Sequence, residues 1–133
     1  MNTSKVILIR GLPGSGKSTI ATALTMHSNY NHIEADNYFY IASGGERYEF
    51  NEAKLSDAHK WCFTEFKYIL DTEADVIVSN TFSRIWELKP YLNECKLRGI
   101  YPQIIECIGD FGSIHNVPEE VITRMANRWE SFK

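Results

Sequence analysis

One segment constrains this chain more than any other: residues 11–19 read GLPGSGKST, which fits the phosphate-binding pattern G-x-x-x-x-G-K-[ST] without a mismatch. Its glycines allow backbone conformations that are closed to other residues, so successive N–H groups can converge on one anion. The helix that begins near Lys17 points the positive end of its dipole at the phosphates. These residues are therefore predicted to bind a nucleotide: Gly11, Pro13, Gly14, Ser15, Gly16, Lys17, Ser18 and Thr19.

Two side chains of this loop have predicted chemical roles. Lys17 is expected to place its ammonium between the terminal phosphates of ATP, as a catalytic group, and the Ser18 hydroxyl is expected to bind Mg²⁺. A phosphate-binding loop does not by itself choose between GTPases, helicases, transporters and small kinases. The chain contains no Asn-Lys-x-Asp guanine-reading signal, and its 133 residues are too few for a helicase or transporter engine. A small kinase is the class that remains.

Short β-rich runs alternate with helical stretches along the chain. Strands are predicted at 5–10, 32–35, 75–79 and 101–108, and an exposed loop with two adjacent glycines at 40–50. Helices are predicted at 17–27, after an N-cap at Asn51, at 90–98 with a separate leading turn at 83–88, and at 118–131. This alternation predicts a single α/β domain over residues 1–133, a three-layer αβα P-loop NTPase fold with a parallel sheet of about four strands.

Composition limits the partners. The net charge of −3 and a pI near 5.8 argue against an extended nucleic-acid surface. A single nucleotide or a nucleic-acid 5′ end remains compatible with that charge. No apolar run reaches the roughly 20 residues that span a bilayer, and we recognise no secretion signal. Three widely spaced cysteines predict reduced core residues and a cytoplasmic location, and oligomerisation is left open.

Asp36 directly follows the predicted second strand. Ligands of open parallel sheets gather at the carboxyl ends of the strands, which places this carboxylate on the same edge as the phosphate-binding loop. There Asp36 can take the proton of a hydroxyl that attacks the γ-phosphate, or hold Mg²⁺ through water. The structural alternative is an Asx-type cap for the next turn.

The chain resembles the polynucleotide 5′-kinase-like P-loop ATPases. The resemblance rests on four segments in the family's order: IRGLPGSGKST at 9–19, DNYF at 36–39, WELKPY at 86–91 and HNVP at 115–118. It implies an ATP- and Mg²⁺-dependent phosphotransferase acting on a hydroxyl of a nucleic-acid 5′ end or a nucleoside-like group. It also implies that Asp36 is the general base, that Asn80 holds an acceptor-binding position and that Arg124 matches an arginine of the nucleotide site.

Three departures leave a second interpretation open. The third strand ends at Asn80 without the usual metal-binding carboxylate, the link at 109–117 contains no Lys or Arg, and Phe39 stands where a basic residue is common. Kinases of this family usually have an arginine-rich lid at this link. Arg124, Arg128 or Arg84 is a candidate substitute for its arginine, with a solvated helix face as the alternative for each. Tyr38, Arg47 or Asn80 is a candidate to position the acceptor, with a plain surface role as the alternative for Arg47. The alternative function is a nucleotide-binding regulatory or partner-binding module, or a slow ATPase.

Overall fold

The centre of the molecule is a parallel sheet, seen in a computed structural model that describes residues 3–41, 44–45, 51–109 and 118–132. The described strands are β1 (Val6–Arg10), β2 (Tyr30–Ile33), β3 (Asp75–Asn80) and β4 (Gln103–Glu106). They lie in the order β2-β3-β1-β4, and every neighbouring pair is parallel. The predicted α/β fold with a parallel sheet of about four strands is confirmed.

Helices cover both faces of this sheet. The described helices are α1 (Lys17–His27), α2 (Asn37–Ile41), α3 (Leu55–Asp71), α4 (Ile85–Leu97) and α5 (Glu119–Asn127). The bounds of α1 match the prediction. A 3₁₀ turn at Glu52–Lys54 precedes α3, and Asn51 caps it by accepting a hydrogen bond from the Ala53 N–H at 3.0 Å. Among the described helices, none is both long and apolar enough to cross a bilayer.

Two hydrophobic clusters show which helices pack on which face. Side chains alternate along β1, so that Val6 and Leu8 face one cluster while Ile7 and Ile9 face the other. The larger cluster contains the apolar sides of α3 and α4, and the smaller one contains Ala21 of α1. The sheet is therefore the middle of three layers, and its two central strands, β1 and β3, are buried along almost their whole length because both faces are covered.

The end of β2 and the start of the next helix differ from the prediction. The predicted strand at 32–35 is wrong by two residues, since β2 ends at Ile33. The Glu34 N–H donates to the Asn37 side-chain oxygen at 3.0 Å, and the Ala35 N–H donates to the Asn80 side-chain oxygen at 2.7 Å. These side chains accept backbone hydrogen bonds that a neighbouring strand would otherwise accept, so β2 ends and α2 follows. The predicted loop at 40–50 is wrong at its start, since α2 extends to Ile41.

Pro90 lies inside α4 rather than at the start of a separate helix, so the predicted division into 83–88 and 90–98 is wrong. Proline removes one helical N–H, but the helix begins upstream because its N-terminus is capped. The Arg84 N–H donates to the Glu87 carboxylate at 2.9 Å, and the Ile85 N–H donates to the Glu130 carboxylate at 2.8 Å. The capped first turn and the buried face that follows it keep the helix continuous.

The segment after α5 is fastened to the end of β1. The fully buried Arg10 donates to the carbonyl oxygens of Phe82 and Glu130, both at 2.6 Å, and its guanidinium stacks 4.1 Å from the centre of the Trp129 ring. The predicted helix at 118–131 is too long, since α5 ends at Asn127 and Trp129 packs from beyond its end. This attachment places the end of α5 at the carboxyl edge of the sheet.

Candidate active site

The phosphate-binding loop lies between β1 and α1 at the carboxyl edge of the sheet. Gly14 and Gly16 have φ angles of 81° and 101°, in the left-handed region that favours glycine. At Gly11 an added Cβ would lie 2.3 Å from the Ser15 hydroxyl and 2.9 Å from the Cys107 carbonyl oxygen. The first helical turn, 17–20, contains no acidic residue that would repel an anion. The glycines at 11, 14 and 16 are thus required by the backbone of this loop, and phosphate binding by it stays a prediction.

Lys17 is held at this loop by its own neighbours. Its Nζ donates to the Gly11 carbonyl at 2.8 Å and to the Leu12 carbonyl at 3.0 Å. Burial lowers the pKa of Lys17, while the nearby carboxylates of Asp36 and Glu34 act in the opposite direction. The ammonium therefore sits in a partly dry site with two acidic groups close by.

The other predicted nucleotide-binding residues differ in exposure. The Ser15 hydroxyl is buried and has no hydrogen-bond partner among the described residues. Pro13 and Ser18 are half-buried, and Thr19 is exposed on α1. The Ser15 oxygen is enclosed by the protein and would lie 2.3 Å from a Cβ at Gly11, so Ser15 contributes to the packing of the loop, and its part in nucleotide binding stays a prediction.

Glu34 is a site residue that we did not predict. It lies just past the end of β2, 9% exposed, and its Oε2 accepts hydrogen bonds from the Ser79 hydroxyl at 2.9 Å and the Ser18 hydroxyl at 3.2 Å. We did not consider Glu34 because it falls inside the strand predicted at 32–35, whereas β2 ends at Ile33. The available signal was an acidic residue in an otherwise apolar run, two residues before Asp36.

Asp36 lies where the sequence placed it, beyond the carboxyl end of β2. It is half-buried in the turn that leads into α2, and its charge acts on both Lys17 and His59. Its backbone carbonyl accepts from the Phe39 N–H at 3.1 Å. Asp36 therefore combines a backbone role at the start of α2 with a carboxylate beside the phosphate-binding loop.

Two predicted acceptor-binding residues have contacts inside the protein. Asn80 is 5% exposed, accepts from the Ala35 N–H at 2.7 Å and donates to the Cys62 sulfur at 3.6 Å. Tyr38 is half-buried, and its ring lies 6.5 Å from that of Trp61. Asn80 therefore holds the turn that carries Glu34 and Asp36, and direct contact with an acceptor stays a prediction for both residues.

The three candidate arginines are placed differently. Arg124 is more than half exposed and pairs with Glu52 at 2.6 Å, and Arg84 pairs with Glu130 at 3.6 Å. Burial lowers the pKa of His59 and the charge of Arg128 lowers it further, while Glu87 and Asp36 raise it. Arg128 is thus the candidate arginine whose charge, like that of Asp36, acts on the His59 imidazole.

Some residues with a predicted role lie outside the part of the chain that the structure describes. Arg47 and residues 110–117, which form most of the predicted lid, lie outside the described residues. Within the described residues, no group of three or more His, Cys, Asp or Glu side chains is arranged to hold a metal ion. Magnesium in nucleotide sites typically takes one or two carboxylates together with phosphates and waters, so a three-residue protein cage is not required.

A family model described as an AAA domain matches residues 6–110, which include the phosphate-binding loop and all four strands. The chain belongs to this AAA-domain family. A curated human relative, NEDD4-binding protein 2, is 32% identical over 139 residues. That match covers 96% of the chain but only 8% of the relative, so the chain spans a small part of that protein's length.

Solved structures agree with this family on the fold. The AAA-domain chain superposes on a chain of the Pnkp1/Rnl/Hen1 complex with a TM-score of 0.62 and 18% identity, over 93% of this chain and 39% of that one. It superposes on a gluconokinase from Sinorhizobium meliloti 1021 with a TM-score of 0.61 and 18% identity, over 98% of this chain and 78% of that one. The resemblance to P-loop kinases is confirmed, and the fold is that of a nucleotide-binding, kinase-like protein.

Proposed function

We propose that this protein is an ATP- and Mg²⁺-dependent phosphotransferase that moves the γ-phosphate to a hydroxyl of a nucleoside, a nucleotide or a nucleic-acid 5′ end. The observation that carries the proposal is the contact of the Glu34 carboxylate with the Ser18 hydroxyl of the glycine-rich loop, where the charges of Asp36 and Glu34 also act on Lys17. A loop that only bound phosphate would have no need of acidic groups, since they repel the ligand.

The loop supplies the binding. Backbone N–H groups of residues 11–19 and the N-terminus of α1 would hold the phosphates, with the Lys17 ammonium neutralising the terminal ones. Two of the three Nζ donors of Lys17 contact loop carbonyls, which leaves one for a phosphate oxygen. The loop therefore needs little reorganisation to accept a triphosphate.

Magnesium fits the donor set of this site. The Ser18 hydroxyl and the Glu34 carboxylate lie 3.2 Å apart, and both are the oxygen donors that Mg²⁺ prefers. When bound, Mg²⁺ neutralises charge on the phosphates and so favours departure of the leaving oxygen. Ser18 is the residue that we propose to hold it.

Asp36 supplies the proton chemistry. A carboxylate beside the γ-phosphate would accept the proton of the acceptor hydroxyl as that oxygen attacks, while Tyr38, Arg47 and Asn80 would position the acceptor. Arg128 is the described arginine that we favour for the transferring phosphoryl group, because its charge, like that of Asp36, acts on His59, whereas Arg84 and Arg124 are held in ion pairs.

A second candidate is a nucleotide-binding module or a slow ATPase. The ion pairs of Arg84 with Glu130 and of Arg124 with Glu52 favour it, because an arginine held by a carboxylate is less available to a phosphoryl group. The sequence at 109–117 also offers no lysine or arginine.

The test is to incubate the protein with γ-labelled ATP, Mg²⁺ and a panel of nucleosides, nucleotides and 5′-hydroxyl oligonucleotides. Label on any acceptor supports the kinase, whereas ATP binding without transfer favours the module. Lys17→Ala should abolish transfer, and Lys60→Ala, an exposed lysine of α3, is the matched control. If millimolar ATP with Mg²⁺ gave neither heat of binding nor thermal stabilisation, the nucleotide site itself would be refuted.

A further inference from the structure

The third strand lacks an acidic residue at its carboxyl end, and the second strand brings one to the same place. Strand β3 ends in Ser79 and Asn80. The parallel register pairs Ile33 with Val78, so the next residue, Glu34, comes beside Ser79. Strand β3 has no carboxylate at this edge of the sheet, and the neighbouring strand β2 places one there.

A chain of hydrogen bonds orients this carboxylate. Ser79 donates its single hydroxyl proton to Glu34 Oε2 at 2.9 Å, so the 2.6 Å contact between Ser79 Oγ and His32 Nε2 requires the histidine to be the donor. From the opposite side the Ser18 hydroxyl reaches the same Oε2 at 3.2 Å. Glu34 is held by its neighbours and faces the hydroxyl of the phosphate-binding loop.

We propose that Glu34 is the carboxylate that binds Mg²⁺ beside Ser18, directly or through a coordinated water, and that Ser79 orients it. This inference rests on the proposed nucleotide-binding function. A nearly buried carboxylate that contacts the expected metal-binding hydroxyl has the donor chemistry of such a site. Partners behind a metal-binding group commonly control its orientation, which is the role of the Ser79 hydroxyl here.

The decisive measurement is metal affinity rather than turnover. Mn²⁺ replaces Mg²⁺, and the bound fraction is measured by electron paramagnetic resonance in the presence of a non-hydrolysable ATP analogue. Glu34→Gln keeps the shape of the side chain but removes its charge, so we expect Mn²⁺ binding to weaken about 10-fold or more. Affinity for the analogue without metal should stay within about 2-fold of wild type, since Glu34 repels rather than holds phosphate.

A matched control is Glu73→Gln, which removes the same charge from an exposed residue at the opposite edge of the sheet. Its Mn²⁺ affinity should equal that of wild type. A second variant, Glu34→Gln with Ser79→Asp, returns a carboxylate to the third strand and should recover Mn²⁺ binding. Circular dichroism confirms that each variant is folded.

Several results would overturn the assignment. Wild-type Mn²⁺ affinity in folded Glu34→Gln would refute it. A loss of analogue affinity without metal as large as the loss of Mn²⁺ affinity would also refute it, because it would indicate a purely structural glutamate. Absence of recovery in the folded double variant would show that positions 34 and 79 do not share a metal site. If Glu34→Gln does not fold, Ser79→Ala must weaken Mn²⁺ binding for the proposal to stand. Failure of wild type to bind the analogue at all would instead refute the proposed function.

Discussion

The phosphate-binding loop at 11–19 and the turn at 34–38 lie on the same edge of the sheet but are held in place differently. Within the loop, the Ser15 N–H donates to the Leu12 carbonyl at 3.0 Å and Lys17 makes its two contacts, and the Gly11 N–H donates to the Thr81 carbonyl at 3.2 Å. The turn has local bonds as well, such as that from the Glu34 N–H to Asn37, but its buried Ala35 N–H depends on the side chain of Asn80, 45 residues away. Both segments can be recognised as motifs, but the support that the turn receives from Asn80 leaves no local pattern in the sequence.

This difference has a consequence for function. The loop carries the groups that we propose to bind phosphate, and the turn carries the two carboxylates that we propose for metal binding and proton transfer. Damage to the turn should therefore impair chemistry more than nucleotide binding. Three variants test this separation, and a fourth concerns the pH dependence of stability; the expected effects decrease in that order.

The sharpest test removes the proposed base from the turn. Asp36→Asn should leave ATP binding intact and lower the rate of phosphoryl transfer about 10²–10⁴-fold, the usual contribution of a general base. Calorimetry measures binding, and labelled ATP measures transfer. Asp57→Asn, an exposed residue of α3, controls for the lost charge. Intact turnover in Asp36→Asn would exclude its role as the base.

The reciprocal test damages the loop. Gly11→Ala places a Cβ 2.3 Å from the Ser15 hydroxyl and 2.9 Å from a backbone carbonyl, so the loop must shift at a cost of about 1–3 kcal/mol. We expect ATP affinity to fall about 10-fold or more, as measured by calorimetry. Thr22→Ala, at an exposed position of α1 beyond the loop, is the control and should bind ATP normally. Unchanged affinity in Gly11→Ala would show that the loop is more adaptable than its packing indicates.

The third prediction removes the distant support of the turn. Asn80→Ala leaves the buried Ala35 N–H without its acceptor, so the free energy of unfolding should fall by about 1–3 kcal/mol in urea denaturation. Transfer should fall more than ATP affinity, because the turn moves and the loop does not. The exposed Asn93 of α4 is the control, and its change to alanine should alter stability by less than about 0.5 kcal/mol. Equal losses of transfer and affinity in Asn80→Ala would contradict the separation.

The smallest effect concerns pH. Burial lowers the pKa of His59 below its usual value of 6.5. Near and below pH 6.5, His59 is therefore protonated more readily in the unfolded chain than in the folded protein, which favours unfolding. Stability is therefore full above about pH 6.5 and falls as the pH decreases. Thermal midpoints at pH 7.5 and pH 5.5 should differ less in His59→Gln than in wild type. Some dependence should remain, since burial also lowers the pKa of His32. An equal difference in the variant would exclude His59 as a source.

Much of the fold followed from local pattern. The apolar runs predicted all four strands to within a few residues, and the bounds of α1 matched because Gly16 and the lysine after it mark a helix start. The errors came where a distant residue overrides a local preference. Asn80 ends β2 early, and the carboxylate of Glu130 caps α4 upstream of Pro90. Both partners are more than 40 residues away in sequence, so no local pattern contains them.

By itself, the sequence determined the phosphate-binding loop, the alternation of strands and helices and the place of Asp36, because glycine conformations and apolar periodicity act over short stretches of chain. Only the tertiary structure decided that Glu34 reaches Ser18 and that Asn80 supports the turn. The physical reason is register: residues of parallel strands become neighbours through the pairing of the sheet, and the sequence of either strand alone does not contain that pairing.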